Sequence, residues 1–505
     1  MMTERNYKMK NVLIIALLIT LIGCSRAKSP IGETSEPVTI SGAVRNYSPG
    51  LNPRQITAEF YEYGTGNLIT YISKIKNDSS FTIKLKLYLP QTIWLNYNKR
   101  FDVIIHPGDS LFIEIDASKI NNIDFLNSLN FHGNNSKSNR NLCEYLTSLN
   151  NEHPHYTSDI TFTLSPNIYK AKWDSIRSCL LKHRKTFIKE NKSTKEVKTW
   201  TFYNIEAIYL NSLLIYSVTR QRFDSERKRV VWDLPVDYYD FIENVPEINM
   251  QSLVYPGITG FINTYKNLYL FTKLYNENIE KNPHVNADSI MISEIIKMKE
   301  GNLFSQLLLI EQFSKKLDSY SIPEFELYLD TINKYITEPF LKEPLINSYI
   351  KRKNNYENPG LISKTIKTVE DIDGSVDILK RIVNDNMGKV IYIDCFGTWC
   401  SPCLDELPKS SELIKRYETK EISFIFLCFS SEKQKYDALI SDLELKGQHY
   451  FLNEQQSQTL SSILKISGFP HYLLIDKNGN LIQDGAHLRP SNQSTITLID
   501  KLLAE

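Results

Sequence analysis

The chain has 505 residues, 42% of them hydrophobic and 23% charged, a globular composition that excludes a disordered or fibrous protein and provides side chains for several packed cores. Lys and Arg total 59 against 58 Asp and Glu, a balance that excludes a general electrostatic pull toward nucleic acid. Seven Cys are too few for a disulfide-stapled scaffold, so each is weighed by its own surroundings.

Arg5, Lys8 and Lys10 precede an apolar run from Val12 to Ile22 that stops at Gly23 and Cys24. At about 1.5 Å per residue the run covers roughly half of a ~30 Å hydrocarbon core, which suits a secretory signal rather than a spanning helix. Leu21-Ile22-Gly23-Cys24 resembles the bacterial lipobox. That resemblance implies cleavage before Cys24 and a lipid on its sulfur, which would hold the protein at a membrane without a spanning segment. Ser25-Arg26 follow the Cys, and the absence of Asp there points to the outer membrane, facing the periplasm. Residues 1–23 are thus expected to be a lipoprotein signal peptide, and the small, polar residues 24–36 a tether.

From 37 to 120, short β-type segments alternate with turn residues, and Phe81-Thr82-Ile83-Lys84-Leu85-Lys86-Leu87 has the period of two that a half-buried strand requires. The spacing predicts a small antiparallel β-sandwich. ISGAVRN at Ile40 and HPGDSLFIEID at His106 resemble the β domain that precedes thioredoxin-like modules in a group of bacterial lipoproteins. Residues 121–358 change to a helical pattern, with apolar-periodic stretches at Asn167 to Glu190, Glu196 to Val218, Ile258 to Leu274 and Ser289 to Leu317. Cys143 and Cys179 lack a metal or redox spacing and are expected to be buried structural thiols. His153-Pro154-His155 has no further ligand type beside it, so no metal site is expected.

Asn358-Pro359-Gly360 is a breaker cluster that suits a domain boundary. Between 361 and 505, β-rich and helical stretches alternate, predicting an α/β sheet covered on both faces. Strand Val390 to Asp394 runs into Cys400-Ser401-Pro402-Cys403, and a helix is expected from Cys403 to Tyr417. Unpaired N–H groups and the positive end of the helix dipole would stabilise a thiolate on an exposed Cys400, the predicted nucleophile. Cys403, one turn into the helix and more shielded, is placed to resolve a mixed disulfide.

The segment IDCFGTWCSPCLDELP resembles the active-site segment of the thioredoxin fold, closest to disulfide reductases of the TlpA and ResA type. The resemblance covers about residues 361–505 and implies a role for several side chains. Asp394 stands at the position of the buried carboxylate that assists proton removal from the second Cys, and Glu406 matches an acidic residue near the active site of ResA-like members. Trp399 would flank the nucleophile, and Phe469-Pro470 matches the cis-Pro loop that binds the target polypeptide. Cys395 and Cys428 fall in core strands, with Cys395 facing away from Asp394.

These readings together predict a lipid-anchored periplasmic thiol-disulfide oxidoreductase, working without a cofactor as a reductase on exported proteins and fed by an upstream thiol donor. Two alternatives stay open: a thiol peroxidase, whose pattern places Thr three residues before the reactive Cys whereas Thr398 is two before Cys400, and a binding or scaffold lipoprotein in which the thioredoxin module is secondary.

Overall fold

Alternation along the N-terminal strands decides which face of each is covered. In the computed structural model, Phe81, Ile83, Leu85 and Leu87 are buried while Thr82, Lys84 and Lys86 are exposed, as the period of two demands. The described residues are 32–50, 52–122, 125–152, 161–223, 228–275, 286–298, 302–360, 367–368 and 378–505. Cys24, the predicted signal peptide and His153-Pro154-His155 lie outside them.

Among the described residues eight strands fill the first part: β1 (Glu36–Arg45), β2 (Gln55–Glu62), β3 (Asn67–Lys74), β4 (Ser80–Leu87), β5 (Gln91–Asn96), β6 (Arg100–Ile105), β7 (Ser110–Asp116) and β8 (Asn130–Gly133). They form two four-stranded sheets, ordered β4-β1-β7-β8 and β3-β2-β5-β6. Side chains of both sheets, such as Ile40 and Ile113 from one and Ile56 and Ile93 from the other, share one buried cluster. The expectation of purely antiparallel pairing needs correction, because β1 and β7 run parallel with Ile40 opposite Leu111. The long excursion between them carries the chain through the second sheet before it returns, so β7 reaches β1 as a crossover rather than as a hairpin. Gly42 permits close packing there: a Cβ on it would lie 2.1 Å from the Ile113 carbonyl oxygen. The expected β-type segments, Val38 to Val44, Ile56 to Tyr63, Thr70 to Ile75, Phe81 to Leu87, Thr92 to Tyr97 and Leu111 to Ile115, include neither β6 nor β8.

Beyond β8 the longer helices of the central region are α1 (Ser136–Glu152), α2 (Pro166–Glu190), α3 (Lys195–Thr219), α4 (Ala287–Lys297), α5 (Leu303–Asp318) and α6 (Pro339–Glu357), with a two-residue ribbon, β9 (Arg222–Phe223) and β10 (Arg229–Val230), after α3. Two expectations fail here. The stretch from Ser289 to Leu317 is two helices rather than one, because Asn302 caps the start of α5 by accepting from the Ser305 N–H. Cys179 is exposed, not buried. The apolar stripe of α2 runs through Tyr169, Trp173, Leu180, His183 and Phe187, and Cys179 sits one position, about 100°, away from it. Cys143 is buried as expected.

Buried polar side chains tie these layers together. The Thr92 hydroxyl of β5 donates to the Val254 carbonyl at 2.7 Å and accepts from the Trp200 indole N–H of α3 at 3.0 Å. Asn139, fully buried on α1, accepts from the Ile104 N–H at 2.6 Å and donates to the Ile104 carbonyl at 3.0 Å. Asn139→Ala strands both backbone groups of β6, and we expect it to lower stability by about 1–3 kcal/mol, read as a drop in the urea midpoint of the full chain. No change would mean that water replaces both bonds.

The C-terminal part forms a six-stranded sheet in the order β11-β14-β13-β12-β15-β16, from β11 (Lys367–Thr368), β12 (Val390–Phe396), β13 (Ile422–Cys428), β14 (Gln448–Phe451), β15 (His471–Ile475) and β16 (Leu481–Asp484). The first four are mutually parallel, and β15 and β16 are antiparallel additions. Helices α7 (Ile378–Asp385), α8 (Ser401–Arg416), α9 (Lys433–Leu443), α10 (Glu454–Ile463) and α11 (Gln493–Ala504) accompany it. Because β12 and β13 are buried at nearly every position, both sheet faces are covered, and two separate apolar clusters lie on them.

This sheet is joined to the central helices by packing of α6 against α9. Lys351 of α6 pairs with Asp442 of α9 at 2.7 Å, and the Asn355 amide donates to the same carboxylate at 3.0 Å. Tyr320, just after α5, is buried in the cluster on the α8 face of the sheet. Among the described residues no helix is long and apolar enough to cross a membrane.

Candidate active site

Strand parity sets the site. Tyr392, Asp394 and Phe396 alternate with Ile391, Ile393 and Cys395 along β12. Tyr392 and Phe396 join the cluster that also contains Cys400 and Cys403, and Cys395 joins the opposite one. Asp394 therefore lies under α8, as expected, and Cys395 does not. Burial raises the Cys395 thiol well above its ordinary pKa and pushes Cys428 up to about 12, so neither is poised as a thiolate.

At the end of β12 the chain turns into α8, which starts at Ser401 rather than at the expected Cys403, so that Cys400 is its N-cap. The Cys400 sulfur accepts from the Cys403 N–H at 3.3 Å, satisfying one of the unpaired amide groups of the first turn. Pro402, which has no N–H to lose, sits in that turn. The two sulfurs are bonded at 2.00 Å with their Cα atoms 5.2 Å apart. Cys400 is only 4% exposed, which corrects the expectation of an open nucleophile: its sulfur is turned into the disulfide and packs within the cluster beneath the helix. Exposure falls instead on its neighbours, with Trp399 at 54%.

Trp399 is held in place by its indole N–H, which donates to the Ser430 carbonyl at 2.9 Å. Its ring meets Phe469 edge to face at 5.4 Å between centroids. Phe469-Pro470 is a cis peptide bond leading directly into β15, the antiparallel neighbour of β12. The sequence thus places Trp399, Cys400, Phe469 and Pro470 at the same end of two adjacent strands.

Asp394 is 2% exposed. The Ser410 hydroxyl of α8 donates to its Oδ2 at 3.3 Å, and among the described residues Oδ1 has no hydrogen-bond partner. Burial raises this carboxyl from 3.8 to about 8, with the Glu406 charge adding to the rise and the Ser410 hydrogen bond opposing it. Ser410 was not singled out beforehand, although it stands seven residues after Cys403 and so two turns along the same helical face.

Glu406, also on α8, is 8% exposed. It is engaged from the segment that follows β16: Ser491 donates through its hydroxyl at 2.9 Å and its N–H at 3.3 Å, and Arg489 lies 3.6 Å away. These partners are more than eighty residues distant in sequence, and no local pattern links them. Because Glu406 contributes to the raised pKa of Asp394, Glu406→Gln should move the Asp394 titration below about 8. Infrared titration of the carboxyl band checks this, and an unmoved titration would show that Glu406 is screened from Asp394. Among the described residues no group of His, Cys, Asp and Glu has the arrangement of a metal site.

Comparison with known proteins bears on this part of the chain. A family model described as thioredoxin-like matches residues 388–481. The thiol-disulfide oxidoreductase ResA of Bacillus anthracis is 28% identical over 124 residues, which cover 23% of this chain and 62% of that protein. ResA of Geobacillus kaustophilus is 27% identical over 101 residues, 20% of this chain and 56% of the relative. The chain therefore spans less than two thirds of the length of these curated relatives. A solved solution structure from Bacteroides vulgatus, described as a candidate thiol-disulfide oxidoreductase, is 33% identical, covering 24% of this chain and 78% of that one with a TM-score of 0.22.

Proposed function

We propose, given that the C-terminal part of this chain belongs to the TlpA/ResA-like branch of the thioredoxin family, that the protein is a thiol-disulfide oxidoreductase. In this reading it works as a reductase on exported proteins at the periplasmic side of a bacterial membrane, held there by a lipid on Cys24, with the outer membrane as the expected address. The observation that carries the activity is the Cys400–Cys403 disulfide at the start of α8, beside the cis Phe469-Pro470 bond.

The chemistry follows from the positions. In the reduced protein the Cys400 thiolate, favoured by the first-turn N–H groups and the helix dipole, attacks one sulfur of a partner disulfide. A Cys400–partner bond forms and the other partner sulfur leaves as a thiolate. Cys403 then attacks Cys400 Sγ, closing the 400–403 disulfide and releasing the second partner thiol. Asp394, beneath α8, takes the proton that Cys403 must lose. Trp399 and Phe469 flank the reacting sulfur, and the backbone at Phe469 pairs with an extended target strand. An upstream thiol donor returns the pair to the dithiol form.

Equilibrating the full chain in dithiol buffers and counting free thiols at Cys400 and Cys403 by mass spectrometry tests this. A potential near or below about −250 mV supports a reductase, and one near −120 to −180 mV would reverse the assigned direction. Absence of a reversible couple would overturn the activity itself.

A further inference from the structure

A cleft of about 1300 Å³ opens beside the disulfide, where three parts of the chain meet. Thr398, Trp399 and Ser401 line it from the C-terminal part, next to Cys400; Leu68 and Thr70 line it from β3; and Lys316 lines it from α5. Phe469 and Pro470 are not among its lining residues. The cleft therefore extends away from the cis-proline side of Trp399 rather than repeating it.

Its size and lining identify the occupant. Small-molecule sites are usually about 300–1,000 Å³, so a small thiol would leave much of this space unfilled, whereas a length of polypeptide would occupy it. Leu68 is 46% exposed and Trp399 54%, apolar surfaces contributed from opposite ends of the sequence that a chain lying in the cleft would cover. Basic and acidic side chains line it in nearly equal number, which excludes selection by net charge and so excludes a strongly acidic or basic tail.

We infer that this cleft receives the stretch of polypeptide adjoining the substrate's reacting cysteine, so that β3 and α5 help to select the substrate on which Cys400 acts. The inference rests on the exchange activity proposed above. It gives the N-terminal sheets and the central helices a part in that activity: they build the wall against which the target chain lies.

The test uses the full-length Cys403→Ser protein and insulin. Cys400 attacks an insulin disulfide, one insulin sulfur leaves as a thiolate, and the Cys400–insulin disulfide persists because no second thiol resolves it. Hydrogen exchange of the trapped complex is then compared with the unreacted protein. The expected result is at least fivefold slower exchange of amides at 67–72 and 315–321. Slowing confined to 398–401 and 468–471 overturns the cleft assignment while leaving the exchange activity intact. Failure to form any mixed disulfide overturns the activity, and the cleft assignment falls with it. As a second measurement, Leu68→Arg in the same background should slow trapping of insulin at least fivefold, and an unchanged rate overturns the assignment.

Discussion

Cys400→Ser removes disulfide exchange to the uncatalysed level, whereas Cys403→Ser ends turnover but leaves a covalent complex on Cys400. The two variants differ because the sulfurs act in sequence. Without the Cys400 sulfur there is no nucleophile at the N-cap of α8, and Cys403, inside the first turn of the helix, does not stand at the edge beside Trp399 and Phe469 where a partner disulfide arrives. Without Cys403 the first attack still occurs, but the group that closes the 2.00 Å bond is gone. Resolution inside the protein is fast because the second thiol is already in contact with the first, an effective concentration no external thiol matches. Insulin reduction read by turbidity should be flat for both variants, while intact-mass analysis should show an added partner only for Cys403→Ser. Turnover by Cys400→Ser would require another thiol. Among the described residues the exposed Cys179 would then be the one to examine, since Cys143, Cys395 and Cys428 are buried.

Asp394→Asn should stabilise the protein at alkaline pH and slow its redox chemistry at the same time. Burial raises the Asp394 carboxyl from 3.8 to about 8, so between those values the folded state holds a proton that the unfolded chain has released. Stability contributed by this group is therefore present below about pH 4 and is lost as pH rises toward about 8. The displacement corresponds to a loss of about 6 kcal/mol once the carboxylate is charged in the fold. Asn carries no such charge, so the urea midpoint of the oxidised variant should lose this pH-dependent fall and exceed the wild type most at pH 9. Release of a mixed disulfide by Cys403 should meanwhile slow by about a hundredfold, a typical loss for a missing general base, and lose its rise with pH near 8. If the variant is more stable but exchanges at the wild-type rate, Asp394 is a buried charge with no part in the proton transfer.

Much of the C-terminal part was legible because its signals are local. The strand before Cys400, the proline in the first turn and the period of the following helix all lie within about thirty residues, and they place the Cys pair, Asp394 and the flanking Trp399 without reference to the rest of the chain. The resemblance of that same short segment carried the roles of Asp394 and Glu406, and that of the wider stretch 361–505 carried the role of Phe469-Pro470. Elsewhere, local signals misled where phase or distance mattered. Cys179 looked like a core residue, but one position along α2 moves a side chain by about 100°, out of the stripe formed by Trp173 and Leu180. The continuous apolar pattern from Ser289 to Leu317 concealed the cap at Asn302.

By itself, the sequence determined the alternation of the N-terminal strands, the helical middle, the α/β succession at the C-terminus and the helix-capping cysteine, because each follows from periodicity or from backbone chemistry at a few adjacent residues. Tertiary structure alone decided the rest: the parallel pairing of β1 with β7, the Ser410 bond to Asp394, the capture of Glu406 by Ser491 and Arg489, and the cleft shared by Leu68 and Trp399. Each of these joins groups whose separation along the chain is arbitrary, and only the packing of one layer on another brings them within reach.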